Sequence, residues 1–361
     1  MTVDDVTHRS PAPQAKCGLV SIVLPTYNRA YCLAQTLSSV LAQSYAELEV
    51  LVVDDGSTDG TDALVAREFG HDPRVQYTWQ PNAGLSAGRN AGIAMAIGEF
   101  IAFCDSDDIW DRDKIALEVA CMLADEQLGL VWTDVSAVNA QLEMLHPRYT
   151  RVAYPAWKLT PMDQLFPRRF ELPLPSGIGT ATAHVGDLFG PMFIGSYINM
   201  PTVMVRRSAL DAAGGFDESM RAGEDYDWCM RMCREGLVGF IDIPMALYRI
   251  GGADQLTRPD MMVVQARNSL RTMLPLIDAH RDRIPLDTRS LRRVLAGRYR
   301  WLGQAELESG NRGAARRALA RAVYYQPRHG RTLGLIALAS VPVSLERIAR
   351  SLYRRARRGS P

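Results

Sequence analysis

Three acidic stretches and one arginine carry most of the chemistry this chain could do. Asp105-Ser-Asp-Asp108 sets two carboxylates, Asp105 and Asp107, two residues apart on a turn. Both can approach one hard cation while water and a substrate phosphate complete its shell. Mg²⁺ or Mn²⁺ suits such oxygen donors, whereas Zn²⁺ would call for His or Cys. Asp54-Asp-Gly-Ser57 offers a second pair. A carboxylate at a strand end hydrogen-bonds a ribose hydroxyl or a base N–H in nucleotide sites. Arg89, in Gly84-Leu-Ser-Ala-Gly-Arg-Asn90, stands in the first turn of a helix, where the dipole disfavours a cation and an anionic partner would explain it. Glu224 and Asp225 open a helix in Gly223-Glu-Asp-Tyr-Asp-Trp228 and are candidates for a general base on a substrate hydroxyl. Each feature has an ordinary alternative. The aspartates make good turns and caps, Arg89 could form a surface salt bridge, and helix starts favour acids, an account that covers Asp227.

The functional reading gains weight from where these residues fall. Val20-Ser-Ile-Val-Leu24, Leu48-Glu-Val-Leu-Val-Val53, Val75–Trp79 and Phe100-Ile-Ala-Phe-Cys104 read as short buried strands. Between them lie helical patterns: Leu33 to Leu41, a segment capped by Asp59 or Thr61 and ending near Phe69, and Ser86–Ile97. Ile115, Val119, Met122 and Leu123 mark a fourth helix. Strands alternating with helices predict an α/β fold, a mostly parallel sheet covered on both faces. Ligands sit beyond the carboxyl ends of such strands. Beyond the four strands come, in order, Pro25-Thr-Tyr-Asn-Arg29, Asp54-Asp-Gly-Ser57, Asn82 to Asn90, and Asp105 to Asp108.

From about 139 to 200 the pattern fails; seven prolines fall between 139 and 196, and the segment reads as an irregular acceptor-side region, mostly loop with short elements. Regularity returns at Thr202–Arg206, with a helix from about Glu224 to Glu235 and strands near Phe240–Ile243 and Ala246–Arg249. Beyond about 256 the chain reads as an all-helical extension, with Tyr299–Glu308 and Gly313–Tyr325 forming a hairpin turned at Ser309-Gly-Asn311. Residues 1–17 are polar and expected to be disordered. The catalytic domain is expected over 18–255 and the arginine-rich extension over 256–361.

The 361 residues, 47% apolar and 22% charged, describe a globular chain and exclude a fibrous or disordered one. No run of 18 apolar residues and no leader-like N-terminus occur, and six cysteines lack close metal or redox pairing, so a cytoplasmic protein is expected. The net charge of +1 hides an asymmetry: residues 281–361 hold 19 Arg, no Lys and 5 acids, a net +14, against −13 for the remainder. An arginine-rich tail suggests an anionic partner. On the helical face of Leu345, Ile348, Ala349, Leu352 and Tyr353, flanked by arginines, the expected partner is an anionic membrane surface, with packing on the acidic body as the close alternative. Nucleic acid is not expected, for want of a recognisable module.

Taken together, the chain from about Val20 to Arg249 resembles the family 2 glycosyltransferases, inverting nucleotide-sugar enzymes of the A-type glycosyltransferase fold. The stretches that carry the resemblance are Val20 to Asn28, Val53 to Ser57, Asn82 to Asn90, Phe103 to Trp110, Gly214-Gly-Phe-Asp217 and Gly223 to Arg231. The resemblance implies that Pro25, Thr26, Tyr27 and Asp54 hold base and ribose, in a donor site that also includes Asn28, Arg29, Asp55, Asn82, Gly84, Arg89 and Ser106. It implies that Asp105 contacts ribose or metal, that Asp107 binds the Mn²⁺ or Mg²⁺ bridging the diphosphate, and that Asp225 rather than Glu224 is the base. The expected activity is non-processive transfer from a UDP-sugar to a hydroxyl of a glycan or lipid-linked glycan. Transfer to a lipid phosphate and a non-catalytic nucleotide-sugar-binding scaffold are the alternatives. Two departures stand out. Ile250 and Gly251 come after Tyr248-Arg249 where many relatives carry a His, so another group, such as His184, would have to stand in for it. Gly297 precedes Arg300-Trp301 where processive synthases carry Gln. Neither a Gly-x4-Gly-Lys phosphate loop nor a dinucleotide glycine fingerprint occurs, which removes ATPase and dehydrogenase readings.

Overall fold

A computed structural model of the chain describes residues 15–175, 177–251 and 261–341. Four apolar runs form the strands expected of them: β1 (Lys16–Thr26), β2 (Leu48–Asp54), β3 (Val75–Trp79) and β4 (Gly98–Phe103). Helices α1 (Leu33–Leu41), α2 (Thr61–Phe69) and α3 (Leu85–Met95) join them, and all neighbouring pairs among the four strands are parallel. The chain then runs through β5 (Ile109–Trp110), α4 (Lys114–Ala124), β6 (Leu128–Val138) and β7 (Met144–His146). Next come α5 (Thr150–Ala153), α6 (Met162–Leu165), β8 (Arg168–Pro173) and β9 (Thr180–Gly186). The domain closes with β10 (Met204–Arg206), α7 (Arg207–Ala213), α8 (Glu224–Glu235) and β11 (Leu237–Arg249).

The sheet order is β3-β2-β1-β4-β10-β6-β11-β9-β8, with β5 pairing β11 and β7 pairing β6. Successive residues of each buried strand face opposite layers. Val23, Leu51, Ile101, Phe103 and Trp132 pack under α7 and α8, while Ile22, Leu24, Val50, Val52 and Val131 pack under α1 and α4. The sequence-based expectation of a helix-flanked α/β sheet with a C-terminal helical extension holds. Three local readings are refined. In the stretch 139–200, read as mostly loop with short elements, the short strands β8 and β9 pair with each other and extend the sheet beyond β11. The two strands read at 240–243 and 246–249 are one strand, β11, whose register on β6 shifts on both sides of Pro244. A proline lacks the N–H a ladder needs, so a strand tolerates it at an irregularity. Lys16 and Cys17, counted with a disordered terminus, belong to β1.

The extension comprises α9 (Met262–Ala279), α10 (Thr288–Glu308), α11 (Arg312–Tyr325) and α12 (Gly330–Ser340). The hairpin turn at Ser309-Gly-Asn311 is present, and α10 begins eleven residues before the expected Tyr299. Leu307, Ala315, Leu319, Leu335 and Leu338 give the last three helices a small core of their own. Residues 342–361, which carry the expected membrane-facing stripe, lie outside the described residues.

Candidate active site

The loops after β1, β2 and β3 are tied to one another before any ligand is considered. Asn28 takes a left-handed conformation, φ 52°, which Asn tolerates better than most residues. Its N–H donates to Ser57 Oγ at 2.8 Å and its Oδ1 accepts from Thr58 N at 2.8 Å. Asp55 receives Gln80 Nε2 and Ala83 N on Oδ1, at 2.7 and 2.9 Å, and Gly84 N on Oδ2 at 2.7 Å. Asn82 Nδ2 donates to the Asp55 carbonyl. Gly56, at φ 88°, lies so close that a Cβ there would stand 2.8 Å from Asn82 N. Asp54 is fully buried; its Oδ1 accepts from Ser57 N and its Oδ2 from the Tyr77 hydroxyl, both at 2.7 Å. Both aspartates therefore brace the loops, while Tyr27, Asn28, Arg29 and Asn82 line the accessible rim, Tyr27 being 48% exposed.

Beyond β4 the chain makes the acid loop. The Thr36 hydroxyl donates to the Ser106 carbonyl at 3.0 Å, anchoring the loop on α1 through its backbone. From the last residue of β11, Arg249 N donates to Asp108 Oδ1 at 3.1 Å and Arg249 Nε to the Asp107 carbonyl at 2.6 Å. Arg249 and Asp108 were not singled out in the sequence; the Tyr248-Arg249 ending was the available signal. Asp107 lies 3.6 Å from Arg29, and burial, with Asp105 beside it, pushes its carboxyl up. Burial and Asp107 push Asp108 up further, and its Oδ2 is buried without a hydrogen bond.

Gly223, at φ 80°, turns the chain into α8 and delivers Glu224 and Asp225 to the same place. Arg89 joins the two sides: Nη2 to Asp105 Oδ1 is 3.0 Å and Nη1 to Glu224 Oε1 is 3.4 Å. Its guanidinium lies over Phe216, 5.1 Å from the ring centroid, and Asn90 locks that segment by bonding both N and O of Phe216. Burial works against the charge of Arg89, but Asp105 and Glu224 hold its pKa above the ordinary value. The anion that Arg89 called for is thus a pair of carboxylates inside the protein. Burial, then Asp225, pushes Glu224 up to about 7. Asp225 is only half-buried, accepts Tyr226 N on Oδ1, and is also pushed up by burial. Asp227 pairs with Arg231 and accepts the Thr272 hydroxyl, a structural role. His184 sits elsewhere, against Phe166 and Phe240, and is no substitute for the histidine absent after Arg249.

The acid loop suits a hard divalent cation. Asp105 and Asp107 both offer carboxylate oxygens, the donors such a cation takes, with Arg89 and Arg29 standing 3.0 and 3.6 Å from them. Among the described residues no group of three or more His, Cys, Asp or Glu could by itself hold a metal. Mg²⁺ and Mn²⁺ need only one or two carboxylates beside phosphate and water.

Residues 21–182 match the glycosyl transferase family 2 model. An uncharacterized glycosyltransferase of Rickettsia conorii is 30% identical over 238 residues, 64% of this chain and 33% of that protein. The Escherichia coli UDP-Glc:α-D-GlcNAc-diphosphoundecaprenol β-1,3-glucosyltransferase is 43% identical over 106 residues, 29% of this chain and 41% of that one. The chain spans about one third of the length of the first curated relatives it matches. Among solved structures, S. aureus TarS 1–349 in complex with UDP-GlcNAc superposes with a TM-score of 0.57 at 17% identity, covering 92% of each chain, a likeness of fold. Motif order and relatives agree over the donor half: residues 21–182 match glycosyl transferase family 2, and the relatives that cover more of the chain are themselves named glycosyltransferases.

Proposed function

We propose that the chain is an inverting, metal-dependent, non-processive glycosyltransferase that moves a sugar from a UDP-sugar to a hydroxyl acceptor in glycan assembly. One observation carries the reading. Asp225 stands partly exposed at the start of α8 and makes no ion pair among the described residues, while its neighbour Glu224 is buried and held by Arg89, so Asp225 is the carboxylate of the pair left for a substrate. The relative from E. coli is named for a UDP-glucose donor and a diphosphoundecaprenol-linked sugar acceptor, which supports a UDP-sugar and a lipid-linked glycan here.

In this reading Tyr27, Asn28, Arg29 and Asn82 receive the nucleotide on loops held rigid by Asp54 and Asp55. Asp107 and Asp105 would hold Mg²⁺ or Mn²⁺, which supplies charge stabilisation for the departing diphosphate when bound. Arg29 lies beside Asp107 and adds a second positive charge there. Asp225 accepts the proton of the attacking hydroxyl, from the face opposite the leaving group, as the anomeric carbon becomes oxocarbenium-like. Attack from that face inverts the anomeric configuration. Its raised pKa makes it a stronger base than an exposed aspartate.

A cytoplasmic location at an anionic membrane face belongs to the same proposal. Arg316, Arg317 and Arg321 stand exposed along α11 with no acidic partner among the described residues, and no acid occurs between 309 and 341. No described helix is long and apolar enough to cross a membrane. A turnover assay with UDP- and GDP-sugars in the presence of Mn²⁺ tests the proposal. Failure of every donor to be bound or consumed overturns it.

A further inference from the structure

The crevice does not end at the acids. β10 is antiparallel to both β4 and β6, so β6 runs in the direction of β4, and β11 is parallel to β6. The carboxyl ends of β6 and β11 therefore open on the same edge of the sheet as the loops after β1, β2 and β4. Three tyrosines gather there. Tyr248 is the penultimate residue of β11, next to the Arg249 that bonds Asp107 and Asp108. Tyr149 stacks on Tyr248 with ring centroids 6.1 Å apart, and its N–H donates to the Val135 carbonyl of β6. Tyr154 comes directly after α5 and is held from both sides. Its N–H bonds the Thr150 carbonyl, Thr150 N bonds Asp134, and Trp157 Nε1 bonds the Tyr197 carbonyl.

The hydroxyls of Tyr154 and Tyr248 differ from those of four other packed tyrosines, while Tyr149, stacked on Tyr248, shares their lack of a hydroxyl bond among the described residues. Tyr45, Tyr77, Tyr197 and Tyr226 each direct the hydroxyl to a protein partner. This is what a partly buried phenol ordinarily does. Among the described residues neither Tyr154 nor Tyr248 makes such a bond, and neither oxygen is among the sealed, unsatisfied polar atoms. The charges that act on Tyr154 after burial are those of Asp225 and, more weakly, Asp105, with Tyr248 beside it; those acting on Tyr248 are Asp108, Asp105 and Asp107. Two neutral phenols with spare hydrogen-bonding capacity thus lie among the acids, Tyr154 near Asp225 and Tyr248 near the acid loop.

Resting on the proposed glycosyl transfer, we infer that Tyr154 and Tyr248 form the acceptor subsite. Their hydroxyls bond those ring hydroxyls of a neutral pyranose that neighbour the one presented to Asp225. The surroundings set the class of sugar. Asp225 makes no ion pair among the described residues and gives the wall its unpaired negative charge, while Arg89, Arg29 and Arg151 are committed to Asp105 and Glu224, to Asp107 and to Asp242. A uronic acid would meet repulsion there, while a neutral hexose or N-acetylhexosamine would not.

The test uses the full chain with Mn²⁺ and UDP-glucose or UDP-GlcNAc, and Tyr154→Phe and Tyr248→Phe, which keep the rings in the core. Acceptor probes are p-nitrophenyl hexopyranosides, p-nitrophenyl N-acetylglucosaminide and p-nitrophenyl glucuronide. We expect each variant to raise the KM for the neutral glycoside about tenfold, the loss of one or two neutral hydrogen bonds. UDP affinity by calorimetry and hydrolysis of the donor by water should stay unchanged, with the glucuronide a poor acceptor for all forms. An unchanged acceptor KM, an equal loss in UDP affinity and in transfer, glucuronide used as well as neutral sugars, or donor hydrolysis with no transfer to any neutral pyranoside overturns the inference. Absence of both UDP binding and donor hydrolysis in the wild type instead removes the proposed function, and this inference with it.

Discussion

Arg89 and Glu224, 135 residues apart in the chain, meet at 3.4 Å beneath the crevice, with both side chains almost wholly buried. The pairing separates two adjacent acids that look equivalent in the sequence. Glu224 is taken up by the guanidinium, and Asp225 remains open. Arg89 also holds Asp105, so one side chain ties the acid loop to the start of α8.

Removing that tie should be costly. Arg89→Met leaves Glu224 without its cation inside the protein, and breaking a buried pair costs on the order of 3–5 kcal/mol. The denaturant midpoint of the variant should fall accordingly. A change within about 0.5 kcal/mol would mean that the pair is solvated in solution.

The division of labour between the two acids predicts different kinetics. Asp225→Asn should lower kcat by about 10²–10⁴ with donor affinity nearly unchanged, as loss of a general base does. Glu224→Gln keeps a hydrogen-bond acceptor for Arg89 and should retain most of the turnover. A dead Glu224→Gln beside an active Asp225→Asn would reverse the assignment.

Metal dependence is read through binding. UDP affinity measured by calorimetry should fall when EDTA is added to the wild type, and Asp107→Asn should show the weak affinity with or without EDTA. Wild-type affinity indifferent to EDTA would remove the divalent ion from the donor site.

A second buried pair predicts a pH dependence of stability. Lys114 and Glu118 are fully buried at 2.7 Å, with Lys114 over the Trp110 ring. Burial raises Glu118 from an ordinary value of 4.5 to about 7 despite Lys114. A carboxyl raised on folding contributes stability that is present below its unfolded pKa and lost as pH rises through the folded one. Stability of the wild type should therefore decline between about pH 4.5 and 7 relative to that of Glu118→Gln. Parallel urea midpoints for the two proteins across that window would contradict the shift.

The arginines of α11 predict salt-sensitive adhesion. The full chain should co-sediment with phosphatidylglycerol vesicles and not with phosphatidylcholine vesicles. Replacing Arg316, Arg317 and Arg321 by Gln should weaken this binding by roughly 1 kcal/mol per residue. Equal sedimentation of both proteins would leave that face without a role in adhesion.

Much of the donor half was legible from residues alone, because its determinants are local. Runs such as Leu48–Val53 have no solvent-facing side, which is the signature of a buried parallel strand, and a glycine followed by acids marks the start of α8 at Glu224. The polar stretches after each strand could be assigned to one edge because parallel strands all end there. β6 escaped notice although every residue from Leu128 to Val138 is buried, since its Thr, Asp and Ser break the apolar run that identifies such strands. β8 and β9 were hidden among prolines that become tolerable at a sheet edge. Which aspartate braces and which faces outward was beyond local reading too. Asp54 and Asp55 share one motif, and only the arrival of Tyr77 and the 80–84 loop engages their oxygens. The same holds for Arg89 and Glu224, and for Arg249 on the acid loop. A buried charge is settled by whatever partner the sheet order brings to it, and that order is a property of the whole chain rather than of any segment.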